Sequence, residues 1–393
     1  MLNRVFYKAF FSICLIGTIS GCSQKVNIQK EFTVIKSQIQ LISDSTDLQI
    51  GKQQFPRTLQ NGKLKFVGSG DWTSGFYPGL LWYLYEYTEE QHWKDQAIKY
   101  TESLKKEQFN TSTHDLGFMM YCSYGNGYRL TNNPEYKNII IQSAKSLTKR
   151  YNPKTKTIRS WDFSGPDKSW KFPVIIDNMM NLELLFEATK LSGDSTFYNI
   201  AITHANTTLK NHFRDDFSSY HVVDYDPETG EVRHKHTLQG YSHASAWARG
   251  QAWGFYGFLH CYKQTGNSEY LKAANSIYKY IFENPQLPRD LVPYWDYNDP
   301  NIPNAPKDAS AAAITASALY DMSDLTRDMK YKKLADKIVS NLTKHYRSPI
   351  GKNSGFILLH STGHLPGKSE IDVPLNYADY YYVEALLKSK KTS

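Results

Sequence analysis

Along residues 178–190 the apolar positions do not keep to one stripe. Met179, Met180, Leu182, Leu184, Leu185, Phe186 and Ala188 go round the whole helical cylinder. A helix that is apolar on every side is buried on every side, so this pattern predicts a helix inside the molecule. Pro173 ends whatever precedes it, and Asp177 falls at an N-cap or first-turn position, one acid at the entrance of a buried helix. The contrast recurs elsewhere. Residues 74–87 carry only Glu86 as a charge and residues 116–130 only Arg129. In 93–107, by comparison, Trp93, Ala97, Thr101 and Leu104 share a face while Lys94, Asp95, Lys105 and Lys106 lie elsewhere.

A repeat joins the two kinds of helix. Five segments share one spacing: Ser or Thr, four residues, an aromatic, three residues, then Ala or Ile. They are Thr88/Trp93/Ala97, Thr131/Tyr136/Ile140, Ser192/Phe197/Ala201, Thr265/Tyr270/Ala274 and Thr326/Tyr331/Ala335. The chemistry is that of a tight helix–helix turn. Gly193 and Gly266 suit a C-cap, Asn133, Asp194, Asn267 and Asp328 the next N-cap, and Pro134 a first helical position. Inner helices are expected near 74–88, 115–130, 177–191, 243–264, 308–324 and 375–388. Outer helices are expected near 30–48, 90–108, 134–151, 195–212, 268–283 and 328–346. Six inner and six outer helices in alternation predict an all-α fold, a closed (α/α)6 barrel, with an open α-solenoid as the rival.

The connections orient the barrel. Inner-to-outer turns are short, whereas outer-to-inner connections at 49–73, 152–176, 213–242, 284–307 and 347–374 are long and rich in His, Trp and Gly. Long loops on one face of a rigid scaffold usually carry function. Every inner helix starts at that face, so Asp115 and Asp177, at the starts of consecutive inner helices, are expected at one level beside one cavity.

The first residues change the picture. Arg4 and Lys8 precede an apolar run, Ala9–Ile19, too short to span a bilayer, and Ile19-Ser20-Gly21-Cys22 looks like a bacterial lipoprotein cleavage box. The expected organisation is a signal peptide at 1–21 and a single barrel domain at 22–393, lipid-anchored through Cys22 in the cell envelope, either periplasmic or surface-exposed. Loss of the leader lowers the net charge from +8 to +6. With no Lys/Arg block, nucleic acid is not an expected partner, but a soluble anionic substrate suits that balance. Cys122 and Cys261 lie in apolar helical stretches and are expected as buried thiols.

Two carboxylates at a cavity mouth suggest acid–base work. A helix N-terminus favours the ionised form by at most ~1 kcal/mol. Two charges ~5 Å apart at an effective dielectric of ~20 repel by roughly 3 kcal/mol. Repulsion is therefore expected to keep a proton on one acid. Arg249, in a helix whose only other charge is Lys263 near its end, needs an anion, either a core acid such as Glu183 or a substrate. Trp253 is one turn on and is expected to face the same way. Trp72, Trp161 and Trp295 sit on or beside long loops and suit sugar stacking. His221, His234, His236 and His243 complete no metal-ligand spacing, so no metal is expected.

HDLGF (114–118), DNMMN (177–181), SHASAWARGQAWGFYGF (242–258), PYWDY (293–297) and DASAAAI (308–314) together resemble glycoside hydrolase family 88, the unsaturated glucuronyl hydrolases, in order over about 70–393. The resemblance implies a substrate made by a polysaccharide lyase, with a terminal 4,5-unsaturated uronic acid on a glycosaminoglycan fragment. It implies chemistry by protonation of C4 and addition of water at C5, without a metal or organic cofactor. It makes Asp177 the general acid/base and Asp115 its partner, and it places His114, Trp72, Trp161, His221, Gln239, Arg249 and Trp253 at the substrate. Family 105, the unsaturated rhamnogalacturonyl hydrolases, is the nearest alternative. From other classes, a non-catalytic glycan-binding surface lipoprotein would need neither Asp, and a sugar epimerase would lean on paired His. Lys235, Lys307 and the segment HSTGHLPGKS (360–369), with Ser361 and Lys368, are candidates for reading sulfation, although solvated loop positions account for them better.

Overall fold

The computed structural model describes residues 26–48 and 55–391. The leader and Cys22 lie outside these residues. The outer helices are α1 (Ile28–Asp47), α3 (Gln91–Glu102), α5 (Pro134–Thr148), α7 (Ser195–Asn211), α9 (Ser268–Glu283) and α11 (Met329–Asn341). The inner helices are α2 (Phe76–Thr88), α4, α6 (Asn178–Ser192), α8 (Ala248–Thr265), α10 (Ala309–Thr326) and α12 (Asn376–Lys391). Helix α4 joins a π-helical run, Gly117–Gly125, to an α-helical end, Asn126–Thr131.

Each inner helix packs on the next, and α12 packs back on α2, so the ring is closed. Helix α1 seals the seam: its Ser43 Oγ meets Tyr77 of α2 at 2.9 Å, and its Glu31 accepts from the hydroxyl of Tyr382 on α12 at 3.1 Å. An open solenoid has no such seam. The architecture is the expected (α/α)6 barrel, with one continuous apolar core running through its inner helices.

The repeat residues explain the turns. Trp93, Tyr136, Phe197, Tyr270 and Tyr331 are all buried, and so are the small or apolar residues four positions later. The side chains of Asn133, Asp194, Asn267 and Asp328 accept from the backbone N–H two residues on, the expected N-caps. Gly193 and Gly266 take φ of 76° and 68°, and Glu89, Asn132 and Arg327 reach 58°, 54° and 60° at the equivalent positions. The turn therefore has one shape whether or not glycine occupies it.

Three departures from expectation matter. First, the long loops contain antiparallel strands. These form a hairpin of β1 (Phe55–Gln60) and β2 (Lys63–Val67), a short pair of β3 (Tyr151–Asn152) and β4 (Thr157–Ile158), and a three-stranded sheet of β5 (Phe172–Ile175), β6 (Val222–Tyr225) and β7 (Val232–His236) in that order. Second, α8 begins at Ala248 rather than near 243. The preceding residues spend their backbone bonds on another loop: Tyr297 N–H donates to Ala246 O, and Ala248 N–H to Trp295 O. Third, the start of α4 is π-helical, a widened turn that is frequent at functional sites.

Candidate active site

Asp177 is the last residue before α6, yet its side chain makes no capping bond. The capping explanation therefore fails for it, and the carboxyl turns into a cavity of about 250 Å³ at the long-loop face. Asp115, just ahead of α4, lines the same cavity and also does not cap. Consecutive inner helices thus deliver both acids to one space, as their register requires. Burial is the first cause that pushes each carboxyl up, to about 7 in both cases. Repulsion between them is a lesser contribution at Asp177, ranking behind the opposing effect of Arg249. The expectation of a retained proton therefore holds in direction, but desolvation and not the like charge is its main source.

Two histidines flank the pair from behind. His221 Nδ1 accepts from the backbone N–H groups of Leu238 and Gln239, both at 3.1 Å, so its proton sits on Nε2. That nitrogen faces Asp177 Oδ1 at 3.9 Å. Burial holds His221 well below the usual imidazole range, hence neutral. His114 Nε2 lies 3.2 Å from Asp115 Oδ1, and burial lowers its pKa to about 3. Both imidazoles are buried and neither lines the cavity, so they face the acids rather than its open space.

Arg249 is buried and bonded to Asp308 (2.7 Å) and to the carbonyls of Thr362 (2.7 Å) and Gly363 (2.6 Å). Its core partner is therefore Asp308, which also caps α10. It is not Glu183, which lies further along α6 beside His260 at 3.4 Å. Arg249 still lines the cavity, so the structural and substrate readings are compatible. Gln239 lines it as well, and its Nε2 donates to Gly363 O at 3.1 Å.

Trp72 and Trp161 both line the cavity. Trp72 leans on Tyr377 (5.0 Å between ring centroids) and Phe118 (5.6 Å), and Trp161 stacks on Trp170 (5.8 Å). Trp253 is the correction. It is fully buried, does not line the cavity, and packs behind Phe118 at 5.1 Å. One helical turn carries it ~5.4 Å deeper along α8, below the aromatic floor. Trp295 is likewise buried in its loop, with Nε1–H donating to Asp299.

Several lining residues were not anticipated. Arg57 of β1 reaches the cavity and is held by Glu370 (2.6 and 3.0 Å) and Asp71 (2.8 Å). Phe118, Tyr377 and Glu370 also line it. Only the hairpin that carries Arg57 was signalled: Asn61-Gly62, with φ of 52° and 73°, is the turn pair of a two-residue hairpin. Of the sulfation candidates, Lys235 and Lys307 lie over the rings of Tyr220 and Tyr294, Ser361 is buried, and neither these nor Lys368 lines the cavity, but Gly363, His364 and Ser369 of the 360–369 segment do. His234, His236 and His243 stack on one another (5.1 and 4.2 Å). Among the described residues no group of three or more His, Cys, Asp or Glu is placed to hold a metal ion. A larger hollow of about 970 Å³ lies outside the barrel against α9. It contains neither acid of the pair, and its Asp215, Asp216, Glu283 and Asp299 would repel an anionic sugar.

Residues 52–257 match the family model of Glycosyl Hydrolase Family 88. Over 381 residues the chain is 45% identical to the unsaturated glucuronyl hydrolase of Formosa agariphila, covering 96% of this chain and 94% of that protein. It is 32% identical to the unsaturated chondroitin disaccharide hydrolase of Streptococcus pneumoniae, covering 86% and 87%. A crystal structure of an unsaturated glucuronyl hydrolase specific for heparin superposes with a TM-score of 0.88 at 43% identity, covering 92% of this chain and 97% of that one. The chain belongs to glycoside hydrolase family 88.

Proposed function

We propose that this protein removes a terminal 4,5-unsaturated glucuronic acid from glycosaminoglycan oligosaccharides left by a lyase. The observation that carries this reading is the pair of buried carboxyls, both raised to about 7, facing one cavity from consecutive inner helices. An acid that keeps its proton near neutral pH is what a vinyl ether needs. Asp177 gives that proton to C4, and positive charge develops at C5, shared with the ring oxygen. Asp177, now a carboxylate, takes a proton from water as its oxygen bonds to C5. The hemiketal opens and the aglycone leaves with its own oxygen. Because water adds at C5, the carboxylate spacing of retaining and inverting glycosidases does not bear on this site. Arg249, Gln239, Trp72 and Trp161 hold the sugar. A heparin-derived aglycone is the first to try, since the 43%-identical structure carries that specificity and the chondroitin-type relative is 32% identical.

The test is loss of the C4=C5 ultraviolet absorbance when the protein lacking residues 1–22 meets unsaturated disaccharides from heparin, chondroitin and hyaluronan. Turnover with release of the aglycone, abolished in Asp177→Asn, is the expected result. Turnover of unsaturated rhamnogalacturonides alone would move the protein to the alternative substrate class. A folded protein silent on all of them would favour the glycan-binding reading.

We also propose cleavage before Cys22 and lipid on its sulfur, supported by the basic start, the short apolar run and the position of that cysteine.

A further inference from the structure

Asn181 sits one turn after Asp177 on α6 and is fully buried. Its amide orientation is not free. The backbone N–H of Phe118 can only donate, and it donates to Asn181 Oδ1 at 3.0 Å. The other end, Nδ2, therefore faces Asp115, donating to Oδ1 at 3.2 Å. The first turn of α4 is pressed onto this side chain: a Cβ on Gly117 would stand 2.5 Å from Asn181 Cα and 2.7 Å from its Oδ1. One asparagine thus bridges the helix that carries one acid to the helix start that carries the other.

We propose that Asn181 is a positioning residue that sets the order of ionisation in the acid pair, holding Asp115 as the carboxylate and leaving the proton on Asp177. A donor aimed at a carboxyl favours its charged form. Among the described residues no side chain donates to Asp177, whose Oδ1 has no hydrogen-bond partner. The surroundings agree from every side. Asp115 is faced by Asn181 from α6, by Arg150 after α5, which also favours its charge, and by Asp71 from the loop after β2, which opposes it. His114 is neutral and outside hydrogen-bond geometry with Asp115. Asp177 is faced by neutral His221 and by Arg249, whose guanidinium is bonded to Asp308 and two carbonyls. Arg249 acts on Asp177 through space, without a bond between them. The inference rests on Asp177 being the proton donor of the hydration.

The test has two arms on the full barrel. Carbon-13 NMR titration of the aspartate carboxyls, assigned with Asp115→Asn and Asp177→Asn, needs no substrate. Asp115 is expected to ionise at lower pH than Asp177 in the parent, with its midpoint moving up by about one pH unit in Asn181→Ala, the size expected for losing a bond to a charged group. Asn181→Asp keeps an acceptor for Phe118 N–H, so it guards against loss of folding, and it is expected to shift Asp115 at least as far. In the second arm kcat should fall by roughly tenfold or more with KM little changed, and the acid limb of the rate profile should move up with Asp115. Asp177 ionising first in the parent, or an Asp115 midpoint that does not rise in either variant, would overturn the inference. Absence of turnover in the parent would instead count against the activity and leave the titration to decide.

Discussion

At Asp177 the function and the stability of the protein pull in opposite directions. Its pKa is raised by burial to about 7, against the ordinary ~3.9 of an unfolded aspartate. An acid raised in the folded state binds more protons folded than unfolded between those two values. Stability therefore falls as pH climbs through that window, from about 4 to about 7, and the deficit is complete above it. Asp177→Asn keeps the shape and removes the charge. It is expected to abolish turnover and yet raise unfolding stability at pH 8, by on the order of 2 kcal/mol after relaxation of the site. At pH 4, where the parent carboxyl is protonated, the two proteins should match. Denaturant melts at both pH values check this, and an Asn variant less stable than the parent at pH 8 would refute it. The same sign gives the rate its alkaline limb, because the proton donor is lost as pH rises through about 7.

At the scale of elements, the geometry of the pair depends on how closely α4 approaches α6. Gly117 permits that approach, since any Cβ there would meet Asn181 at 2.5 Å. Gly117→Ala is expected to force the helix starts apart, destabilise the fold by about 1–3 kcal/mol, and lower kcat more than it raises KM, because the acids lose their mutual placement. Thermal melting and steady-state kinetics test both effects, and unchanged kinetics in a destabilised variant would show that the contact serves packing alone. The helices themselves were legible in the sequence because the inner helices are apolar around most of their surface and each turn repeats one spacing. Asp115 and Asp177 were legible through the same pattern, as acids at the starts of consecutive inner helices on the long-loop face. Arg57 and Glu370 were not. They sit on a hairpin and a loop whose positions are set by contacts across the barrel mouth, such as Thr58 Oγ1 donating to Pro374 O at 2.6 Å. Local pattern carries no information about such pairings. Trp253 was misplaced by the converse error: a shared helical face gives direction but not depth, and one turn sufficed to put it beneath the floor.

At the scale of the whole molecule, the two ends of the barrel are distinct. The cavity opens where the inner helices begin, and the short turns lie at the other end. Val26 and Ile28, at the start of α1, pack against Tyr320 and Ser389 near the ends of α10 and α12, so the chain enters the fold at the turn end. Only five residues separate Cys22 from Ile28, a tether of at most ~20 Å. A lipid on Cys22 would therefore hold the turn end towards the membrane and leave the cavity facing outward, open to oligosaccharides arriving from a lyase. Among the described residues no helix is long and apolar enough to cross a bilayer, so in this arrangement membrane association would rest on the lipidated cysteine. Cys22→Ser is expected to move the protein from the membrane fraction to the soluble one while kcat/KM on a soluble disaccharide stays as it was, because α1 starts at the turn end, away from the acids. Fractionation after labelling with a fatty acid decides the point. A Cys22→Ser protein that still takes up label or still sediments with membranes would rule out this anchoring, whereas a released protein with altered kcat/KM would mean that the two ends communicate.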